Sequence, residues 1–176
     1  MTKLDTLKQQ TADLEAKLEE TTEKLKSMKA EIDRLENGWK MKCPYKEGDE
    51  YYFVSANGLA KYDSWDNYDF EKRAFAQGNI FKTQQEAELE SKRRNLLTRF
   101  RAFRDECNNG WKPDWSNHDK KWEISYDADE EKFKAFWCFV INSFSTFSYF
   151  KNEKDAQRAI DLFGDEIKEL FVEGDA

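Results

Sequence analysis

The sequence predicts an α+β protein: an N-terminal coiled-coil helix followed by two related antiparallel meander-plus-helix repeats. Three observations carry that prediction. Apolar residues recur at alternating spacings of three and four through the first segment, every aromatic residue lies between Trp39 and Phe171, and two stretches of the remainder echo each other in the same order. The expected boundaries are 1–37 for the coiled-coil helix, 38–108 for the first repeat and 109–176 for the second.

Counting from Leu4, the heptad a and d positions are Leu4, Leu7, Thr11, Leu14, Leu18, Thr21, Leu25, Met28, Ile32 and Leu35. All but the two threonines are apolar, and a strict 3.5-residue repeat keeps such a stripe facing a partner helix as both supercoil. Thr2 followed by Asp5 fits an N-terminal cap and Asn37-Gly38 a stop, so one helix is expected over residues 2–36. With Leu4 as a, the g positions hold Lys3, Gln10, Lys17, Lys24 and Glu31; the e positions hold Lys8, Glu15, Thr22, Lys29 and Glu36. A parallel homodimer would set Lys3 against Lys8, Lys24 against Lys29 and Glu31 against Glu36, with no attractive pair. Exposed pairs are worth only tenths of a kcal/mol, so the pattern biases towards an antiparallel homo-oligomer, or towards docking on another helix of the chain or of a partner.

Beyond this helix, Asn37-Gly38-Trp39-Lys40 recurs as Asn109-Gly110-Trp111-Lys112, and IFKTQQEAE (80–88) is echoed by YFKNEKDAQ (149–157). Both echoes are offset by about 70 residues, the signature of an internal repeat. In the first unit EYYFVS (50–55) and LAKY (59–62) flank Asn57-Gly58, a two-residue hairpin signal, and a third strand is expected around Arg73 to Phe81, interrupted at Gly78-Asn79. In the second, KWEISYD (121–127) and KFKAFWCFVI (132–141) flank an acidic turn, with FSTFSYF (144–150) as third strand. Thr83 with Glu86, and Asn152 with Asp155, cap the closing helices. Leu89, Leu96, Phe100, Phe103 and Cys107 form one helix face, interrupted by Arg93; Ala156, Ile160, Phe163, Ile167 and Leu170 form the other. Both faces are expected to cover the sheets.

The chemistry open to the chain is narrow. Its one histidine, His118, lies in a polar loop without a nucleophile motif, and Cys43, Cys107 and Cys138 lack metal-ligand or redox spacing, a set that suits a reducing cytoplasm. Neither a phosphate loop nor a dinucleotide fingerprint is present. The acids of DSWDNYD, from Asp63 to Asp69, have no basic partner nearby and read as a solvated loop. No catalytic residue, cofactor or metal is therefore expected. The chain starts as helix rather than export signal, and its mean hydropathy of −0.99 leaves no apolar run near the ~20 residues of a membrane span.

What remains are candidate binding surfaces on a chain of net charge −7, 37% charged and 15% aromatic. Lys92, Arg93, Arg94, Arg99, Arg101 and Arg104 lie along one helix; Arg94, Arg101 and Arg104 are the candidates to grip phosphates or an acidic partner, although balance by nearby glutamates is the simpler account for an acidic chain. The turn Asp127, Asp129, Glu130 and Glu131, with the acids from Asp161 to Asp175, either imitates a phosphate backbone or keeps an aromatic-rich domain dispersed. Tyr62, Trp65, Tyr68 and Phe70 alternate with polar residues, and Trp65 and Tyr68 in particular either meet a partner or pack on the sheet.

The stretch 48–88, through Gly48, Tyr51, Tyr52, Trp65, Gly78, Asn79, Phe81, Thr83, Glu86, Ala87 and Glu88, with Trp39 before it, resembles a domain of small proteins from bacteriophages and prophages of Gram-positive bacteria. The second unit keeps only the Trp entry and the Phe-Lys step. That resemblance brings no catalytic residues; it implies a phage accessory protein acting in a bacterial cytoplasm. The leading expectation is a non-enzymatic protein that binds and inhibits a host protein, most concretely a defence nuclease in the manner of an anti-CRISPR. The alternatives are a nucleic-acid-binding accessory or regulatory protein using the helix at 92–104, and a virion structural or assembly component.

Overall fold

Helix α1 (Lys3–Asn37) starts where the sequence sets its cap. The Thr2 hydroxyl accepts the Asp5 N–H at 3.2 Å while the Asp5 carboxylate accepts the Thr2 N–H at 2.8 Å, so two of the four orphan amides of the first turn are satisfied. Gly38, at φ +73°, ends it. The computed structural model describes residues 2–39 and 41–174, which leaves Lys40 of the first Asn-Gly-Trp-Lys step and Asp175 of the acidic tail outside the described residues. Its chain divides into two compact units, Met1–Pro44 and Tyr45–Ala176. The segments expected as two repeats therefore share one unit from Tyr45 onward.

That second unit is α+β, with two small antiparallel sheets. β1 (Glu50–Val54) pairs with β2 (Ala60–Ser64), and β3 (Lys121–Asp127) with β4 (Lys132–Cys138). The first turn is not the two-residue loop expected at Asn57-Gly58. The Gly58 N–H bonds Ser55 O and the Ser55 N–H bonds Leu59 O, both at 2.9 Å, which makes a three-residue loop with Gly58 alone at positive φ. A type I turn followed by a left-handed glycine matches strand twist as well as the shorter loop does.

Neither expected third strand forms. Residues 69–76 instead make α2 (Asp69–Ala76), because Glu, Lys, Arg and two Ala favour helix, and the carboxylate of Glu71 accepts the Tyr68 N–H at 2.6 Å. Gly78 at φ +68° is the helix terminator and not a strand interruption: its N–H bonds Phe75 O and that of Asn79 bonds Ala74 O, a Schellman pair. In the second half, positive φ at Phe144 and Ser148 breaks the pleat of FSTFSYF. Each third strand contracts to a single bridge, Tyr52 to Phe81 and Trp122 to Phe150, each two residues ahead of a helix cap.

The capped helices are α3 (Gln84–Asn108) and α4 (Glu153–Ile167), followed by a π-helical turn, Lys168–Glu173. The core gathers Leu96 and Phe100 of α3, Trp122 and Ile124 of β3, Phe150, and Ala156, Ala159, Phe163, Ile167 and Leu170. Leu89, Phe103 and Cys107 pack against it, so the apolar face expected on α3 serves the second half more than its own hairpin. Arg93, the interruption in that face, donates to Leu170 O at 2.7 Å and lies over the Phe171 ring, satisfying a carbonyl where the π turn departs from regular helix bonding.

The first hairpin builds its own aromatic cluster, with Trp65 stacked on Tyr45 and edge-on to Tyr51 and Phe75. Burial, reinforced by the charges of Asp63, Glu71 and Asp66, pushes the Tyr51 hydroxyl up to about 12. A free tyrosine titrates near 10, so between about pH 10 and 12 the unfolded chain releases a proton that the folded one keeps. Stability is expected to fall by roughly 2–3 kcal/mol across that window, from about 1.4 kcal/mol per unit. Urea midpoints of wild type and Tyr51→Phe at pH 8 and 11.5 check this: the variant should lose less on the alkaline side.

Candidate functional site

Helix α1 buries none of its residues. Its Leu4, Leu7, Leu14, Leu18, Leu25, Met28, Ile32 and Leu35 are between 50% and 74% exposed. The two polar positions in the stripe are neutralised locally, since the hydroxyls of Thr11 and Thr21 donate to Leu7 O and Lys17 O at 2.9 and 2.7 Å. Within the unit Met1–Pro44 this apolar stripe on a capped helix stays uncovered along its length. Among the described residues no helix is long and apolar enough to cross a membrane.

The aromatic loop after β2 separates into two kinds of residue. Trp65 is 2% exposed and lies inside the first cluster, so it is withdrawn as a partner-binding residue: its ring fills the space between Tyr45, Tyr51 and Phe75. Tyr62, Tyr68 and Phe70 stay exposed, and the last two stack on each other at 5.8 Å.

The cationic helix is largely spent inside the fold. Arg94 bonds Glu90 at 2.7 Å, Asn79 Oδ1 at 2.9 Å and Gly78 O at 3.3 Å, pinning the end of α2 to α3. Arg104 bonds Asp105 and reaches Phe147 O, and Arg99 pairs with Glu166. Arg93 is held by Leu170 O. Of the candidates Arg94, Arg101 and Arg104, Arg101 alone is exposed with no ion pair among the described residues.

The acidic turn is similarly divided. Asp127 accepts the N–H groups of Asp129 and Glu130 and the ammonium of Lys134, while Glu130 pairs with Lys132 and Lys134. The Lys134 bond holds the Asp127 carboxyl below its usual range, and Lys132 with Lys134 does the same for Glu130. Asp129 and Glu131 are exposed and make no ion pair among the described residues, although the charge of Glu131 helps hold the Lys168 ammonium above its usual range. The cluster is an ion-paired hairpin end more than a row of free carboxylates.

One surface had no place in the sequence reasoning. Phe136, Trp137, Val140, Ile141 and Phe144 are exposed on β4 and the loop after it, and Phe144 is 88% exposed. Trp137 packs on Phe139 at 4.7 Å, with the Lys120 ammonium over its ring. β4 pairs only with β3, so its outer edge is open as well. The run FWCFVI was a signal for this, but it reads equally as a buried strand.

A cleft of about 330 Å3 lies at the end of α3, lined by Arg104, Asn108, Trp111 and Tyr149 among others. Its buried amide is already committed, since Asn108 donates to Tyr149 O at 2.8 Å and accepts the Lys151 N–H at 3.0 Å. Among the described residues no group of His, Cys, Asp and Glu is placed to hold a metal ion, and His118 is exposed. Comparison of the chain with models of known protein families, with curated proteins and with solved structures finds no match.

Proposed function

We propose that the chain is a non-enzymatic interaction protein that self-associates through α1 and presents the Tyr45–Ala176 unit to a host protein. The observation that carries this reading is the uncovered heptad stripe. A stripe of eight large apolar residues is far more than the scattered exposed leucines of ordinary surfaces, and it has the period that a partner helix requires. The exposed apolar stretch from Phe136 to Phe144, more than the acidic turn, supplies the target-facing surface, because exposed aromatics anchor interfaces and ion-paired carboxylates do not. The matching bridge-and-cap arrangement in the two halves supports reading 38–108 and 109–176 as related repeats. The target class follows from the phage resemblance: a host protein, most concretely a defence nuclease, met in the bacterial cytoplasm.

Affinity capture with the tagged full chain from expressing host cells, identified by mass spectrometry, tests this. Wild type is expected to recover one protein in stoichiometric yield, and the double substitution Ile141→Glu/Phe144→Glu to lose it at least tenfold while its near-UV circular dichroism is unchanged. Recovery unaffected by the substitutions would remove that stretch from the reading, and failure to recover any host protein would count against host binding itself.

A further inference from the structure

The charges beside the α1 stripe go beyond permitting self-association: they select one geometry for it. Resting on the reading of α1 as the assembly element, we infer that it pairs with a second copy as an antiparallel coiled coil in full-overlap register. Leu4 of one chain then lies level with the partner's Leu35, Leu14 with the partner's Leu25, and Leu18 with the partner's Thr21. Every apolar residue of the stripe is covered, and the hydroxyl of each threonine in it is already bonded within its own helix.

In an antiparallel pair the e positions of the two helices meet each other, and so do the g positions. A parallel pair joins each g residue to the partner's e residue five places on, so the contact across the seam lies C-terminal to the level of a g residue and N-terminal to that of an e residue. In full overlap this brings Lys8 to the partner's Glu36, Glu15 to the partner's Lys29 and Lys3 to the partner's Glu31, each pair made twice by symmetry. One repulsion opposes them, Lys17 against the partner's Lys17 beside the two-fold axis. The neutral Thr22 meets the partner's Thr22 on the other side.

A slip of one heptad reverses the sign in either direction. Slipped one way, Lys8 meets the partner's Lys29 and Lys3 the partner's Lys24, and Ile32 and Leu35 lose their cover. Slipped the other way, Glu15 meets the partner's Glu36 and Lys17 the partner's Lys24, and Leu4 and Leu7 are bared. The parallel arrangement repels at Lys3, Lys24 and Glu31. The structure adds an independent sign: among the described residues Lys3, Lys8, Glu15, Lys29 and Glu36 make no ion pair within the helix, whereas Lys24 is bonded to Glu20. Full overlap draws on charges left unspent within the helix, with Glu31, paired to Arg34, as the exception, while Lys17, unspent too, supplies the one repulsion.

Cysteine crosslinking of the full chain tests the register, in a Cys43→Ser background because Cys43 is exposed while Cys107 and Cys138 are half-buried. Leu14→Cys/Leu25→Cys is expected to form a covalent dimer under mild oxidation, since the two sites lie about 16 Å apart along one helix and cannot bridge within a chain. Leu18→Cys/Met28→Cys, which reports a one-heptad slip, and Leu25→Cys alone, which reports parallel pairing, are expected to stay uncrosslinked. Sedimentation equilibrium of Lys8→Glu should show about 5–10-fold weaker dimerisation, restored to within about twofold by adding Glu36→Lys. Crosslinking by either control, its absence in Leu14→Cys/Leu25→Cys, or no rescue by Glu36→Lys would overturn the register while leaving a dimer. A wild-type chain that sediments as a monomer at micromolar concentration would instead overturn the assembly reading beneath it.

Discussion

Phe100→Ala is expected to lower the stability of the Tyr45–Ala176 unit by about 3–5 kcal/mol, read as a shift in the urea midpoint of its near-UV circular dichroism. Phe100 is 0% exposed, with ring centroids 4.8, 5.8 and 5.4 Å from Phe147, Phe150 and Phe163. It therefore joins α3, the bridge to β3 and α4 at one point. Alanine there forfeits the transfer energy of a ring and leaves a cavity that three fixed aromatics cannot collapse into. Since domains hold only about 5–15 kcal/mol in all, roughly a fifth or more of the stability rests on this contact. The readout reports chiefly on this unit because Lys3–Asn37 contains no aromatic residue and Trp39, which follows it, is exposed. Phe70→Ala, at an exposed position, is expected to move the same midpoint by no more than about 0.5 kcal/mol.

Leu18→Glu/Leu25→Glu should have the other large effect, on assembly instead of folding. Both leucines lie on the uncovered seam of α1, and burying a carboxylate there costs far more than the lost leucine contact returns. The dimer dissociation constant is expected to rise at least ~1,000-fold, about 4 kcal/mol, by sedimentation equilibrium. Helical far-UV signal should fall with it, because an isolated helix is marginal without a packed face. The near-UV signal should stay that of wild type. A variant that dimerises as tightly as wild type would show that the seam is not the contact.

What could be read in advance divides by the range of the interactions involved. The caps of α1, α3 and α4 were legible because Thr2, Thr83 and Asn152 bond groups three residues away, within reach of any sequence window. The ends of β3 were legible for a similar reason, an alternating run closed by an acidic turn. The strand expected at Arg73 to Phe81 was lost to α2, whose residues favour helix and whose Glu71 reaches back to Tyr68. Both third strands shrank to single bridges once helix ends and left-handed residues claimed their backbone.

The candidate surfaces were the least legible part. A charge or a ring is visible in the sequence, but whether it is free depends on what comes to it from elsewhere. Arg94 is tied to Asn79 and Gly78 from the preceding loop, and Lys134 reaches across the hairpin to Asp127. Trp65 is enclosed by rings drawn from three other segments.

By itself, then, the sequence determined α1 to within a residue at each end, with its caps and the period of its apolar stripe, because helix hydrogen bonds and heptad spacing are local quantities. The division of the chain into an aromatic-free helix and an aromatic-rich α+β unit was fixed in the same way. Only the tertiary structure decided which cations, carboxylates and aromatics of that unit remain outside. Burial and ion pairing join residues distant in the chain, and no local pattern records which of them will meet.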